Sequence, residues 1–376
     1  MPSELTDLVA RLVAIDSVNP SLAAGGAGEA EAAGFVAEWG RAAGLGVDVL
    51  GDPARPSVVL RARGSGGGRS LLLCGHLDTV GVEGMSDPLV PRVDGDWLYG
   101  RGSYDMKAGL AAALIAARDA ARLGLAGDVI VAAVADEEDA SSGIQQVLPT
   151  VHADAAIVTE PTELEVVVAH KGFVWAELEV TGRAAHGSRP WLGVDAIVKA
   201  GPVLVELGDL DRRLGARTHP LLGRGSVHAS LIEGGRELSS YPDRCVVKIE
   251  RRTLPGETEQ DVERELEELL ARCRAADVDF AGSVRTFLSR DPHELDPGHE
   301  LVAAVRTAAA TITGTAPGLG GASYWADSGF IAAAGIPTVL FGPSGEGAHA
   351  VEERVSVRDT EVVARTLVAV AAAVCG

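Results

Sequence analysis

Five short apolar segments of this chain each adjoin a residue that can bind a metal ion. The residues are histidines and acids, namely His76, Asp105, the pair Glu137-Glu138, Glu160 and His349. Imidazole and carboxylate groups are the ligands of catalytic zinc, which needs several fixed ligands and one position open to water. Because these residues lie far apart in sequence, only folding can bring them together. The layout therefore predicts an active site assembled from distant segments.

The pattern of apolar residues predicts two domains. A chain of 376 residues is long for a single core. Apolar strands at 129–134 and 155–158 alternate with helices such as 106–123, which predicts an α/β layer covered on both faces. From about residue 171 to 288 the order becomes βαββα with half-exposed strands, which predicts a small α+β module with one open sheet face. We therefore expect an α/β domain formed by residues 1–170 and 289–376, interrupted by this module at 171–288.

Charge and cysteine content exclude several classes of function. Lys and Arg number 33 against 53 Asp and Glu, a net charge of −20 that repels nucleic acids and anionic membranes. The four cysteines are far apart and form no Cys-x-x-Cys pair, which indicates neither a disulfide framework nor a zinc ribbon. The first residues lack the basic and apolar pattern of a signal peptide, and no apolar run is long enough to span a membrane. We expect a cytoplasmic protein.

The positions of the acids and histidines suggest separate roles. Asp78 is two residues after His76, on the same side of the strand, so its carboxylate is expected to accept the ring proton of His76. Asp105 stands between a glycine turn and a helix, where it is either a helix N-cap or a carboxylate bridging two metal ions. Glu137 and Glu138 follow a buried strand, where one can be a ligand while the other moves a proton.

The charges of such a site balance. Two divalent ions carry four positive charges, and Asp105, Glu138 and Glu160 with one hydroxide carry four negative charges. An alternative for each residue alone is an ordinary surface loop or strand edge. Together they favour a two-metal centre.

The chain resembles the zinc amidohydrolase and peptidase family that includes acetylornithine deacetylase, succinyl-diaminopimelate desuccinylase, aminoacylases and glutamate carboxypeptidase. The resemblance extends over nearly the whole chain. It rests on these segments: Ser17-Val18-Asn19-Pro20, Gly75-His76-Leu77-Asp78-Thr79-Val80, Gly100 to Gly109, Asp136-Glu137-Glu138, Thr159-Glu160-Pro161-Thr162, Ala185-His186-Gly187-Ser188, Pro242-Asp243 and Gly342-Pro343 before His349.

This resemblance implies two zinc ions, with cobalt or manganese as substitutes. It implies His76 and Glu160 on one ion, Glu138 and His349 on the other, and Asp105 bridging them. Glu137 would be the general base.

The resemblance also implies a ferredoxin-like lid that forms a homodimer through its sheet and helices. The lid histidine, His186, would reach a neighbouring active site and stabilise the oxyanion, and Arg252 would bind a substrate carboxylate. Relatives often carry Asn where this chain has Ser239, which we expect to contact the substrate.

We therefore expect a hydrolase that cleaves the amide bond of a small N-acyl amino acid by means of a zinc-activated water. Glu at position 160 is typical of the deacylases and carboxypeptidases in the resembling family, so an acetylornithine deacetylase-like activity is the first interpretation. A dipeptidase or a glutamate carboxypeptidase-like enzyme is the second. A non-catalytic, metal-binding dimeric protein is the alternative from another class.

Overall fold

The computed structural model describes residues 3–376, which divide into two units. The first unit comprises the described residues up to Val168 together with Leu295–Gly320 and Ala326–Gly376. The second comprises Ala169–Glu294 and Gly321–Trp325. The junctions lie at 168/169 and 294/295, whereas the sequence pattern suggested 170/171 and 288/289. The short return at 321–325 has no signal in the sequence.

The helices and strands follow the chain in this order. The α-helices are α1 Glu4–Val13, α2 Ala30–Ala42, α3 Ala108–Ala120, α4 Ser142–Val147, α5 Ala196–Leu214, α6 Glu259–Ala276, α7 Glu300–Thr313, α8 Ser328–Ala333 and α9 Val357–Cys375. The strands are β1 Gly46–Asp52, β2 Arg55–Ala62, β3 Leu71–His76, β4 Arg92–Asp94, β5 Trp97–Tyr99, β6 Val129–Val134, β7 Ala155–Val158, β8 Val166–His170, β9 Gly172–Thr181, β10 Thr218–His219, β11 Gly223–Arg224, β12 Ser226–Gly234, β13 Arg244–Thr253, β14 Ala281–Arg290, β15 His293–Glu294, β16 Leu319–Ala322, β17 Thr338–Leu340, β18 Gly345–Glu346 and β19 Arg354–Ser356.

The main sheet of the first unit has the strand order β1-β2-β6-β3-β7-β17-β8. Its four central strands, β6, β3, β7 and β17, run parallel to one another. Every residue of β3, β6, β7 and β17 is buried, as expected for strands covered on both faces by helices. The carboxyl ends of these strands consequently meet at one edge of the sheet.

The second unit is a four-stranded antiparallel sheet of order β12-β13-β9-β14. Residues of α5 and α6 share a hydrophobic core with alternate residues of the strands. The opposite face leaves Trp175 and Phe287 partly exposed. The α+β class and the open sheet face therefore agree with the sequence prediction, while the order is βαββαβ because the prediction omitted β14.

The segment around Asp105 differs from its predicted form. The helix was expected to begin at Met106, but α3 begins at Ala108 and is preceded by a π-type turn over Ser103–Lys107. Asp105 (φ −112°, ψ 95°) and Met106 (φ −132°, ψ 31°) are not helical. Asp105 is therefore not the N-cap of α3, and its side chain is available for other contacts.

In the part of the chain from residue 3 onward, no helix combines the length and apolar content needed to span a bilayer. The four cysteines, Cys74, Cys245, Cys273 and Cys375, are buried as free thiols.

Candidate active site

The parallel strands of the first unit deliver the predicted ligands to one edge of its sheet. His76 is the last residue of β3, Glu137 and Glu138 follow β6, and Glu160 follows β7. His349 lies in the loop between β18 and β19, beyond the carboxyl end of β17, and has a left-handed backbone (φ 62°). Open α/β sheets bind ligands beyond the carboxyl ends of their strands. The topology therefore explains why residues distant in sequence converge.

Asp105 connects two groups of possible metal ligands. In the first, His76 Nε2 lies 3.2 Å from Asp105 Oδ1 and 3.9 Å from Glu160 Oε1. In the second, His349 Nε2 lies 3.2 Å from Asp105 Oδ2 and 3.1 Å from Glu138 Oε2. Each carboxylate oxygen of Asp105 thus belongs to a different group.

These groups fit divalent metal ions. Ligand bonds of about 2.0–2.2 Å in a tetrahedral arrangement separate the ligand atoms by about 3.3–3.6 Å. Three of the four distances between histidine nitrogens and carboxylate oxygens, 3.1–3.2 Å, are close to this range, and the fourth is longer at 3.9 Å. Glu138 Oε1 is buried and receives no hydrogen bond from the residues that the structure describes. A buried carboxylate oxygen without a donor is costly unless a cation compensates it. The donor set of imidazole and carboxylate suits zinc, cobalt or manganese.

The electrostatics of the two ligand groups also favour a bound cation. Burial raises the pKa of Glu160, and the carboxylates of Asp105 and Glu138 raise it further. Hydrogen bonds to Asp105 and Glu138 raise the pKa of His349 to about 10. The carboxylates thus favour positive charge on the facing imidazole, and a bound cation would supply that charge in place of the proton.

Glu137 lies beside the ligand groups without belonging to either. Burial raises the pKa of its carboxyl group, and the charge of Glu160 adds to the effect. In the described chain no hydrogen bond to the Glu137 carboxylate is present, so it is not tied to a structural partner. A carboxylate with a raised pKa is suited to accept and return a proton.

Asp78 is close to His76, but its carboxylate does not accept the ring proton as expected. His76 Nδ1 lies 2.9 Å from the backbone oxygen of Asp78 and 3.8 Å from Oδ1. The acceptor was therefore predicted wrongly: the backbone carbonyl of Asp78, and not its carboxylate, accepts the ring proton and fixes the tautomer of His76. The carboxylate instead accepts the backbone N–H groups of Glu137 and Glu138 at 3.1 and 3.2 Å. Asp78 consequently holds two elements of the site in place: its backbone oxygen holds the ring of His76, and its carboxylate holds the turn at Glu137 and Glu138.

A buried polar network that the sequence analysis did not identify supports this turn. Asn19 Nδ2 donates to Asp78 Oδ2 at 2.9 Å and to Asp136 Oδ1 at 3.1 Å. Glu29 accepts the backbone N–H of Asp136 at 3.1 Å and pairs with Arg55. Asp136 has a left-handed backbone (φ 67°), which these contacts hold in place. The only sequence signal was the motif Ser17-Val18-Asn19-Pro20, which by itself indicates only a helix end.

Asp327 is a second residue that the sequence analysis did not assign. It lies immediately before α8 and is 1% exposed. Its charge contributes to the raised pKa values of both Glu137 and Glu160. Its position before a helix is that of a common N-cap, which is why sequence alone gave no functional signal.

The remaining predicted site residues, His186, Ser239 and Arg252, belong to the second unit. The exposed His186 forms a β-bridge with Ser240, and the backbone N–H of Gly187 donates to Ser239 O at 2.7 Å. The backbone N–H of Ser188 donates to His186 Nδ1 at 3.2 Å, which leaves the proton of the neutral ring on Nε2.

Arg252 is separated from the other two within this unit. It lies near the end of β13, where its guanidinium pairs with Glu250 at 2.7 Å and covers the ring of Phe173. Ser239 lies in the loop before β13, and the two ends of this strand are roughly 30 Å apart at about 3.3 Å per residue. One copy of the second unit therefore does not present Ser239 and Arg252 to the same small ligand.

Comparison with known proteins identifies the family. Residues 72–373 match Peptidase family M20/M25/M40. The chain belongs to this family. As a member of the M20/M25/M40 family with hydrolases among its relatives, it is an enzyme of the metallo-amidohydrolase and peptidase class. The alternative of a non-catalytic metal-binding protein is therefore not supported.

Two relatives have names that describe an activity. The chain is 28% identical to an N-formyl-4-amino-5-aminomethyl-2-methylpyrimidine deformylase of Bacillus subtilis (strain 168), over 81% of this chain and 80% of the relative. It is 29% identical to an acetylornithine deacetylase of Proteus mirabilis (strain HI4320), over 92% and 90% of the two chains.

Two solved structures share the fold of this chain. The chain superimposes on an aminopeptidase of Bacillus cereus with a TM-score of 0.81 and 21% identity, covering 99% of this chain and 98% of that one. It also superimposes on a dinuclear metal binding peptidase of Bacillus subtilis with a TM-score of 0.77 and 16% identity, covering 99% and 97%. These likenesses confirm the predicted fold class.

Proposed function

We propose that this enzyme removes a small acyl group from an N-acyl amino acid by hydrolysis at a centre of two divalent metal ions. The observation that carries the proposal is the shared position of Asp105, whose two oxygens lie 3.2 Å from His76 and from His349. A carboxylate that presents one oxygen to each of two imidazoles is placed to bridge two metal ions, each held in part by one of those imidazoles.

The proposed ligands follow from the two groups around Asp105. His76 and Glu160 would hold one ion, Glu138 and His349 would hold the other, and Asp105 would contact both. The metal is proposed to be zinc, with cobalt or manganese as substitutes. When bound, such ions lower the pKa of a water molecule to about 7 and polarise the carbonyl of the amide.

Glu137 is proposed as the general base. It accepts a proton from the attacking water and returns it to the nitrogen of the leaving amine, so the proton balance of hydrolysis closes on one side chain. Asp78 supports this role. Its carboxylate accepts the backbone N–H of Glu137 and so fixes the backbone position from which the Glu137 side chain extends.

His186 is proposed to stabilise the negative charge that develops on the carbonyl oxygen. Its Nδ1 accepts a hydrogen bond from Ser188, so the neutral ring carries a donor at Nε2. Ser239 lies beside it, and the two are proposed to act together on the active site of a neighbouring subunit. Arg252 is proposed to bind the carboxylate of the substrate.

Exposed apolar side chains of the second unit support a homodimer. They lie on the edge strand β12 and on α5, and comprise Leu231, Ile232, Ile197, Val198, Leu204 and Val205. An edge strand with apolar neighbours is a template for pairing with another strand. We propose that two copies pair through β12 and α5.

The substrate class is supported by the names of the relatives. A deformylase and a deacetylase each remove a small acyl group, so a formyl or acetyl amide is favoured over a peptide. An N-acetyl amino acid such as acetylornithine is the first candidate. A formylated amine of a pyrimidine is the second, because a relative of 28% identity has that activity in its name. A dipeptide or carboxypeptidase substrate is the third.

A substrate panel tests this proposal. The purified protein, loaded with zinc or cobalt, is assayed for amine release from N-acetylornithine, other N-acetyl and N-succinyl amino acids, a formylated aminomethylpyrimidine and dipeptides. Preferred hydrolysis of N-acetyl or N-formyl compounds supports the proposal. Preferred hydrolysis of dipeptides would overturn the deacylase assignment in favour of a dipeptidase.

A further inference from the structure

A buried carboxylate next to the ligand groups receives an unusual number of hydrogen bonds. Glu353 is 1% exposed. Its Oε1 accepts the backbone N–H groups of Tyr104 and Asp105 at 2.9 and 3.0 Å. Its Oε2 accepts the backbone N–H of Gly102 at 2.9 Å and Arg101 Nη1 at 2.7 Å. Both oxygens therefore face two donors each, in the turn that carries Asp105.

Arg101 extends these contacts to two further loops. The guanidinium is 3% exposed. Its Nη2 donates to the backbone oxygen of Ala350 at 2.9 Å, directly after His349. Its Nε donates to Gly81 O at 3.1 Å, in the loop that follows His76 and Asp78. One ion pair thus binds together the Asp105 turn, the His349 loop and the loop after β3.

We propose that Glu353 and Arg101 form a clamp that positions Asp105 and His349 to hold one metal ion together. The clamp touches neither ion nor substrate, so both are positioning residues that act through the two ligands. The inference rests on the proposed two-metal centre and adds the device that keeps its second group assembled.

The charge of Glu353 is essential to the clamp. An arrangement of converging backbone N–H groups favours an anion. In Glu353→Gln the shape is retained, but one oxygen is replaced by an NH2 group. Either orientation of the amide then places that NH2 against two donors, and the Arg101 guanidinium loses its buried counter-charge.

The two metal sites should respond unequally. The site formed by Asp105, Glu138 and His349 depends on two segments that the clamp binds directly. The site formed by His76, Asp105 and Glu160 keeps two ligands on strand ends that the Glu353 carboxylate does not contact. Loss of the clamp should therefore weaken one binding step more than the other.

Metal titration of the metal-free protein tests this proposal. Zn²⁺ and Co²⁺ binding is measured by calorimetry and by competition with a chromophoric chelator in wild type, Glu353→Gln and Arg101→Lys. We expect one of the two steps to weaken by about 10–100-fold in Glu353→Gln, as for other residues that orient metal ligands. Arg101→Lys keeps the positive charge but cannot make all three of the guanidinium contacts, to Glu353, Ala350 and Gly81. An intermediate loss of metal affinity is therefore expected.

The matched control is Glu257→Gln in the second unit. Glu257 is 7% exposed, pairs with Arg251 at 3.1 Å and accepts the backbone N–H of Leu254 at 2.9 Å. The Glu257→Gln variant should have a lower melting temperature but unchanged metal-binding steps. It thus distinguishes loss of the clamp from a general loss of stability.

The outcomes distinguish the clamp from the proposed function. Two binding steps in a folded Glu353→Gln variant that both stay within about twofold of wild type, well short of the expected loss, would overturn the clamp alone. A wild-type protein that binds fewer than two ions would overturn both. If Glu353→Gln does not fold, the Arg101→Lys titration decides in the same way.

Discussion

Replacing Glu137 by Gln should separate proton transfer from metal binding. The substitution keeps the side-chain shape, and Glu137 belongs to neither ligand group. Its backbone N–H, which donates to Asp78 Oδ1 at 3.1 Å, is unaffected. The expected change is therefore confined to the loss of a proton acceptor.

The magnitude follows from the role of a general base. Such a group contributes about 10²–10⁴-fold to the rate, which is about 2.7–5.4 kcal/mol of the activation barrier at 1.36 kcal/mol per tenfold. Stability should change little, because Gln has the same shape and the Glu137 carboxylate accepts no hydrogen bond from the described residues that the substitution would remove. We expect kcat to fall by at least about a hundredfold, with metal content and melting temperature close to wild type.

The assay measures kcat by amine release and metal content by atomic emission on the same preparation. Asp139→Asn is the control, since Asp139 belongs to the same acidic run and is exposed. It should retain wild-type kcat. A Glu137→Gln variant with kcat within about tenfold of wild type, below the range of general-base effects, would refute the assignment. A variant that loses one of its ions would show that Glu137 is a ligand instead.

Three further predictions concern the ions, acid stability and assembly. Removal of metal by a chelator should abolish hydrolysis and lower the melting temperature, and added Zn²⁺ or Co²⁺ should restore both; activity that survives complete removal would contradict the two-metal proposal. Burial lowers the pKa of His170 from 6.5 to about 3, and the charge of His293 adds to the effect. Between pH 6.5 and about 3, His170 therefore binds a proton in the unfolded chain but not in the folded protein. The free energy of unfolding should decrease by up to about 5 kcal/mol across that window, at about 1.4 kcal/mol per unit, and His170→Gln should flatten the dependence measured by urea titration. Ile232→Lys on the edge strand should yield monomers in light scattering, whereas Leu123→Lys, also at an exposed apolar position, should not; dimers of both would contradict pairing through β12.

The buried strands were the part of the fold that sequence could predict. The limits expected for β6 and β7, 129–134 and 155–158, agree with the structure because continuous apolar runs bounded by polar residues leave little choice. β14 was not predicted, because its exposed and half-buried residues mix Ser, Thr and Arg on an open sheet face. Met106 was assigned to a helix because it opens an Ala-rich segment, although the backbone at Asp105 and Met106 is not helical.

The candidate site was predictable to the extent that its chemistry is visible in single residues. A histidine or an acid at the end of a predicted strand can be recognised as a possible metal ligand from the sequence. Asn19, Glu353 and Asp327 cannot be recognised in this way, because their roles depend on residues far away in sequence. Gly102 and Glu353, for example, are 251 positions apart. The acceptor for His76 was misjudged for a related reason, since spacing identifies Asp78 but not which of its oxygens faces the ring.

All proposed metal ligands lie in the first unit, whereas His186, Ser239 and Arg252 lie in the second. In the proposed assignment, the metal ligands and the general base are thus encoded in one part of the polypeptide, and the side chains that contact the substrate and its oxyanion are encoded in another. If the proposed roles of His186, Ser239 and Arg252 hold, exchange of Ala169–Glu294 and Gly321–Trp325 between related enzymes should change the preferred substrate and leave metal binding intact.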